Sequence, residues 1–144
     1  MFKVHENPAG LSPVTLAYVG DAIFELMVRE RLVIGGGMPA GKLHQASVRR
    51  VKAAAQALAY QAVVDAATQA ERDILRRGRN VSLSRMPKSC TPDEYHKATA
   101  LEALLGYLYL GGERQRLEEI FELINEQIDP EQKSTRPSEQ SPNP

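Results

Sequence analysis

The sequence predicts an all-α domain of about six helices. Three observations carry this. Apolar residues recur at three- and four-residue spacing, as in Leu16, Val19, Ile23, Leu26 and Met27. Three helix starts are written as caps: Ser12-Pro13, Thr68 with Glu71, and Thr91-Pro92 with Glu94. No stretch shows a convincing strand pattern, and there is no internal repeat.

Residues 1–11 read as irregular. The first helix starts after Ser12 and runs to about Val33, where Gly35-Gly36-Gly37 stops it. Pro39 restarts the chain. From Val51 to about Ala67 it is alanine-rich and apolar almost all round, and Ala53, Ala57, Leu58 and Val64 read as close packing. One long helix or two joined near Val51 both fit. A short helix follows from Gln69 to about Arg77, closed by Gly78. Asn80 to Cys90 lacks periodicity and reads as a basic loop. Thr91 opens the next helix, which runs to about Leu110 with a stripe of Leu101, Leu104, Leu105 and Leu108. The last helix, Glu113 to about Ile128, buries Leu117, Ile120, Phe121 and Ile124. Residues 1–129 make one domain. Residues 130–144, rich in Pro, Ser and Gln, read as a disordered tail.

The 42% hydrophobic and 25% charged fractions are those of an ordinary soluble globule. No apolar run approaches the roughly 20 residues of a membrane span, and the N-terminus matches neither a signal nor a transit peptide, so a cytoplasmic protein is expected. The single cysteine, Cys90, excludes an internal disulfide and a cysteine-cluster metal site, and it lacks an obvious general base. His5, His44 and His96 have no ligand spacing. The glycine triplet lacks the strand and the Lys-Ser/Thr of a phosphate loop and reads as a hinge. A formal net charge of zero hides an asymmetry. Residues 41–100 carry eleven Lys/Arg against five Asp/Glu, whereas residues 101–144 carry four against nine. A basic middle between acidic flanks suggests a face made for phosphate.

Two acids stand where an apolar helix would not want them. Asp21 follows Gly20 inside Leu16-Ala17-Tyr18-Val19-Gly20-Asp21-Ala22, and Glu102 precedes Gly106 by one turn inside Glu102-Ala103-Leu104-Leu105-Gly106. Glycine inside a helix costs about 1 kcal/mol against alanine, so both glycines suggest a close approach. If the two faces cross, two carboxylates converge. Hard oxygen ligands of this kind suit Mg²⁺. In the plainer alternative, Asp21 pairs with Arg29 and Glu102 with Lys97 or Arg114.

These two segments resemble the acidic elements of the ribonuclease III catalytic domain, whose patterns are Leu-Glu-Phe-Leu-Gly-Asp-Ala/Ser and Asp-x-x-Glu-Ala-Leu-Ile-Gly. The short chain, Leu75–Asn80 (Leu-Arg-Arg-Gly-Arg-Asn) and Pro87-Lys88 resemble its Mini-ribonuclease III branch, which has no double-stranded-RNA-binding domain. The resemblance spans about Leu16 to Ile124. It implies an all-α homodimer that cuts double-stranded RNA with Mg²⁺, leaving 5′-phosphate and 3′-hydroxyl ends and a short 3′ overhang. It implies maturation of the ends of precursor 23S ribosomal RNA, with a ribosomal protein as a further partner. Asp21 and Glu102 fall on two family metal ligands and are the expected catalytic pair. Ala17 and Thr99 fall on the other two positions, as in the Mini branch, so more ligation from water and RNA phosphate is expected. Without an accessory domain the catalytic dimer must supply its own cations for the phosphates and 2′-hydroxyls of A-form RNA. Arg49, Arg50, Arg76, Arg77, Arg79, Arg85 and Lys88 are the expected RNA-binding residues. The alternative is a non-catalytic double-stranded-RNA-binding dimer on the same scaffold.

Overall fold

The computed structural model describes residues 4–82 and 87–129, and among them the chain forms six α-helices and no strand. After a short 3-10 turn at Pro8–Gly10, the helices are α1 (Pro13–Gly35), α2 (Ala40–Val51), α3 (Ala53–Ala66), α4 (Gln69–Arg79), α5 (Pro92–Leu110) and α6 (Arg114–Ile128). Arg85 and the tail 130–144 lie outside the described residues. No described helix is long and apolar enough to cross a membrane.

The three caps form as their residue types require. The Ser12 hydroxyl accepts from the Thr15 amide ahead of Pro13. Thr68 with Glu71, and Thr91 with Glu94, close reciprocal capping boxes that satisfy otherwise orphaned amides at the starts of α4 and α5. Near Val51 the chain makes two helices: Lys52 is extended at φ −57°, ψ 145° and separates α2 from α3.

α5 is the central helix. It packs against α1, α3, α4 and α6. It buries Ala98, Thr99, Ala100, Leu101, Ala103, Leu104, Leu105, Gly106 and Leu108, so nearly every side of it is covered. Its small residues let neighbours come close. A Cβ built on Gly20 of α1 would stand 1.6 Å from the Glu102 carbonyl oxygen, and one on Gly106 would stand 2.0 Å from the Leu16 carbonyl oxygen. Here backbone meets backbone, and only glycine fits on either side.

Two expected faces turn out otherwise. α1 buries Leu16, Ala17, Gly20, Phe24, Val28 and Leu32, a stripe at four-residue spacing set by the α5 contact. Leu26, read as part of the apolar face, is 60% exposed. α3 buries Gln56, Ala59, Tyr60 and Val63 and leaves Leu58 68% exposed, because an alanine-rich helix apolar on all sides does not mark its inner face.

One buried ion pair ties α4 to α6. Arg116 donates to both Glu71 oxygens, at 2.9 to 3.3 Å, and to the Ala66 carbonyl. Glu71 also accepts from the Thr68 amide. Burial pushes the Glu71 carboxyl up, but the Arg116 and Thr68 hydrogen bonds and the Arg116 charge outweigh it and hold it below its ordinary value. The stabilisation is therefore present above the ordinary glutamate pKa and lost as pH falls through the lowered one. Losing charge-assisted hydrogen bonds of this kind typically costs about 1.5–3 kcal/mol. Glu71→Gln is expected to unfold at lower temperature at pH 7, with the gap to the parent closing below about pH 4. Thermal melts across pH check this; a gap that stays constant down to pH 2.5 contradicts it.

Candidate active site

The α1–α5 crossing brings the two acids together. The backbone of Glu102 itself lies against Gly20, and Asp21 is the next residue on α1. Asp21 is exposed, and Glu102 is half-buried. Burial raises the Glu102 carboxyl to about 7, with the Asp21 charge adding to the rise and a hydrogen bond from Gln56 partly offsetting it. Partial burial, then the Glu25 charge, raises Asp21. No cation is among the groups that set either shift. Two carboxylates in one site with no countercharge repel each other and favour either a proton or a bound cation.

Two of the cations that offered a plain pairing are engaged elsewhere. Arg29 binds Glu25 at 2.6 Å, and Lys97 binds Asp93 at 2.9 Å. Ala17 is in the core, and the Thr99 hydroxyl donates to the Tyr95 carbonyl at 2.9 Å. Among the described residues no group of three or more His, Cys, Asp or Glu gathers into a metal cluster. The site rests on two carboxylates.

Gln56 is the site residue that sequence reasoning passed over. It lies on α3, only 2% exposed, and its Nε2 donates to Glu102 at 3.1 Å and to the Val51 carbonyl at 2.9 Å. The only available signal was an amide in an alanine-rich helix. That signal is weak, since nothing local to α3 points to Glu102, 46 residues on.

The expected RNA-binding cations divide into two groups. Arg49, Arg76 and Lys88 are exposed. Arg79 lies 5.1 Å from the Tyr60 ring centroid and also reaches Asp93. Arg76 and Arg79 line a groove with Tyr60, Arg72 and Asn80. By contrast, Arg50 binds the Ala46 carbonyl and Asp129, and Arg77 donates to the carbonyls of Ala9 and Leu11. These two guanidiniums hold the fold together.

The electrostatics carry a stability consequence. A carboxyl raised from 4.5 to about 7 on folding keeps its proton longer in the folded state, so metal-free stability falls as pH rises through that window. The fall is on the order of 3 kcal/mol at most. Glu102→Gln keeps the shape and removes the charge. In metal-free buffer at pH 8 it is expected to melt higher than the parent, and at pH 4.5 at about the same temperature. A variant that melts lower at pH 8 would contradict the uncompensated carboxylate.

Comparison with known proteins agrees with this architecture. The Ribonuclease III domain model matches residues 14–113, a span that contains Asp21 and Glu102. The chain is 47% identical over 116 residues to the Mini-ribonuclease 3 of Symbiobacterium thermophilum, covering 81% of this chain and 89% of that one. It is 44% identical over 118 residues to the Mini-ribonuclease 3 of a Thermoanaerobacter species, covering 82% and 83%. A crystal structure of a Fusobacterium nucleatum protein superposes with a TM-score of 0.74 at 30% identity, covering 83% of this chain and 96% of the other. With the acidic crossing of α1 and α5 inside the matched span, the chain belongs to the ribonuclease III family and, by its relatives, to the Mini-ribonuclease 3 group.

Proposed function

We propose that the protein is an endoribonuclease that hydrolyses double-stranded RNA with Mg²⁺ held by Asp21 and Glu102. The observation that carries this is the uncompensated pair of carboxylates at the α1–α5 crossing. The donor set fits the ion. Mg²⁺ is bound by hard oxygens and is often held through one or two carboxylates, with waters and substrate phosphate completing its shell. A bound Mg²⁺ supplies a nucleophile at neutral pH and stabilises charge on the phosphoryl group.

The chain's own residues account for the rest. Glu102 is oriented by the Gln56 amide, and Asp21 faces the solvent from which RNA arrives. Arg49, Arg76, Arg79 and Lys88 offer guanidinium and ammonium groups to phosphates, with Arg76 and Arg79 in the groove beside Tyr60. The products are a 5′-phosphate and a 3′-hydroxyl. Family resemblance supports precursor 23S ribosomal RNA as the substrate, in the cytoplasm, with a ribosomal protein as a further partner on the pre-ribosome.

A homodimer suits this chemistry, since two sites related by a two-fold axis cut two strands. On the side of α1 away from α5, Val14, Tyr18, Leu26 and Val33 are exposed, with Tyr18 82% accessible. Apolar and aromatic groups of this kind mark a docking surface when they cluster on one face. The second reading, an RNA-binding dimer without catalysis, draws on Ala17 and Thr99, which leave two family ligand positions without a carboxylate.

Purified protein with duplex RNA and Mg²⁺ decides between the two. The parent is expected to cleave, and Asp21→Asn to bind duplex RNA while cleaving at least about a hundredfold more slowly, the scale of losing one group that stabilises transition-state charge. Cleavage by both, or by neither despite binding, excludes the assignment. Affinity for the duplex is expected to fall steeply between low and physiological salt. In light scattering the parent is expected at the dimer mass and Leu26→Glu at the monomer mass with unchanged helicity; a dimeric Leu26→Glu would move the interface elsewhere.

A further inference from the structure

Gln56 does more than its two hydrogen bonds require. Both acceptors of its Nε2 are oxygens, the Glu102 carboxylate and the Val51 carbonyl, so the amide nitrogen must face them. This fixes the side chain's orientation and leaves Oε1 as the opposite arm. Oε1 is buried and has no hydrogen-bond partner among the described residues. Leaving a buried acceptor without a partner is costly. A plain packing role favours an aliphatic side chain here, as Ala59 and Val63 supply on the same buried face of α3.

The position of that oxygen is bounded. The amide O and N are about 2.2 Å apart from bond lengths. With Nε2 at 3.1 Å from Glu102 Oε1, the free oxygen lies no more than about 5.3 Å from that carboxylate oxygen. It is a hard, neutral oxygen of the type that Mg²⁺ coordinates and to which a metal-bound water can donate. It also lies in a site where Ala17 and Thr99 bring no carboxylate.

We propose that Gln56 is a third arm of the metal site, bracing Glu102 with its amide nitrogen and offering Oε1 to the cation or to one of the cation's waters. The inference rests on the metal-site reading above. Through Val51 it also ties the α2–α3 break to the acidic pair. Gln56 is thus a positioning residue that uses a neutral oxygen where a further carboxylate would add repulsion.

The test uses the full-length protein and Mn²⁺ alone as a spectroscopic probe, at pH 8 without RNA. Gln56→Met keeps length and burial and removes both polar arms. It is expected to fold, to bind Mn²⁺ about tenfold or more weakly, the usual loss when a supporting ligand partner is removed, and to need correspondingly more Mg²⁺ for duplex cleavage. Gln56→Glu keeps an oxygen and adds charge. It is expected to show a larger Mn²⁺-induced rise in melting temperature than the parent, a response that mere bracing of the fold would not produce. If Gln56→Met matches the parent in Mn²⁺ affinity, or if Gln56→Glu shows no larger rise, the Gln56 assignment is wrong while the metal site stands. If the parent itself neither binds Mn²⁺ nor cleaves, both fall. Should Gln56→Met fail to fold, the Gln56→Glu melts decide alone.

Discussion

The contact between α1 and α5 at Gly20 and Gly106 is the constraint on which the rest of the structure depends. Each glycine faces a carbonyl of the opposite helix, so the two backbones touch without side chains between them. A shift of register by one residue would bring Asp21 or Leu105 into a space that has no room for a Cβ. The glycines therefore fix the register, and the register puts Asp21 next to the contact and Glu102 within it. α5 extends the same logic to its other side. Gly78 of α4 packs against Ala100 and Ala103, where its own Cβ would come within 2.9 Å of the Ala100 backbone. A helix covered on nearly every side needs small residues where its neighbours cross it, and α5 supplies them.

Two glutamates show how environment divides residues of one type between structure and chemistry. Glu71 is buried, but it accepts from Arg116 and from the Thr68 backbone, and its carboxyl is held down. Glu102 is half-buried with one neutral donor and a second carboxylate nearby, and it is pushed up to about 7. A fold that needed only stability would answer Glu102 with an arginine, as it answers Glu71. Instead the nearby cations serve other partners: Arg29 holds Glu25 and Lys97 holds Asp93. The unmet charge is a cost to the free chain, and a divalent cation is what would relieve it.

The sequence made the helices legible because their starts are local chemistry: a hydroxyl cap, a proline and an acid three residues on are readable without knowing any neighbour. Asp21, Glu102 and the two glycines were legible for a related reason, since each breaks the local rule for an apolar helix. What escaped depends on distant partners. Gln56 gains its role from Glu102, and Arg116 from Glu71, each about 45 residues away. Arg50 and Arg77 read as phosphate ligands because a cation's spacing looks the same whether it faces solvent or a carbonyl. Leu26 and Leu58 read as core by their apolarity but are exposed, because apolarity becomes burial only where something covers it, and the chain alone does not say where.

α1 joins these threads by serving two surfaces at once. Its inner stripe is pinned to α5 by Gly20, while its outer side presents Val14, Tyr18, Leu26 and Val33. Asp21 lies between the two sides, one residue from the pinned contact and three from Tyr18. A helix transmits displacement rigidly over a single turn, because each turn is closed by backbone hydrogen bonds. A partner resting on the outer side would therefore press on the segment that carries Asp21. Docking and chemistry would share one rigid body, with no loop between them to absorb a mismatch. A partner there would hold Asp21 against α5, at the crossing whose glycines leave no room for adjustment.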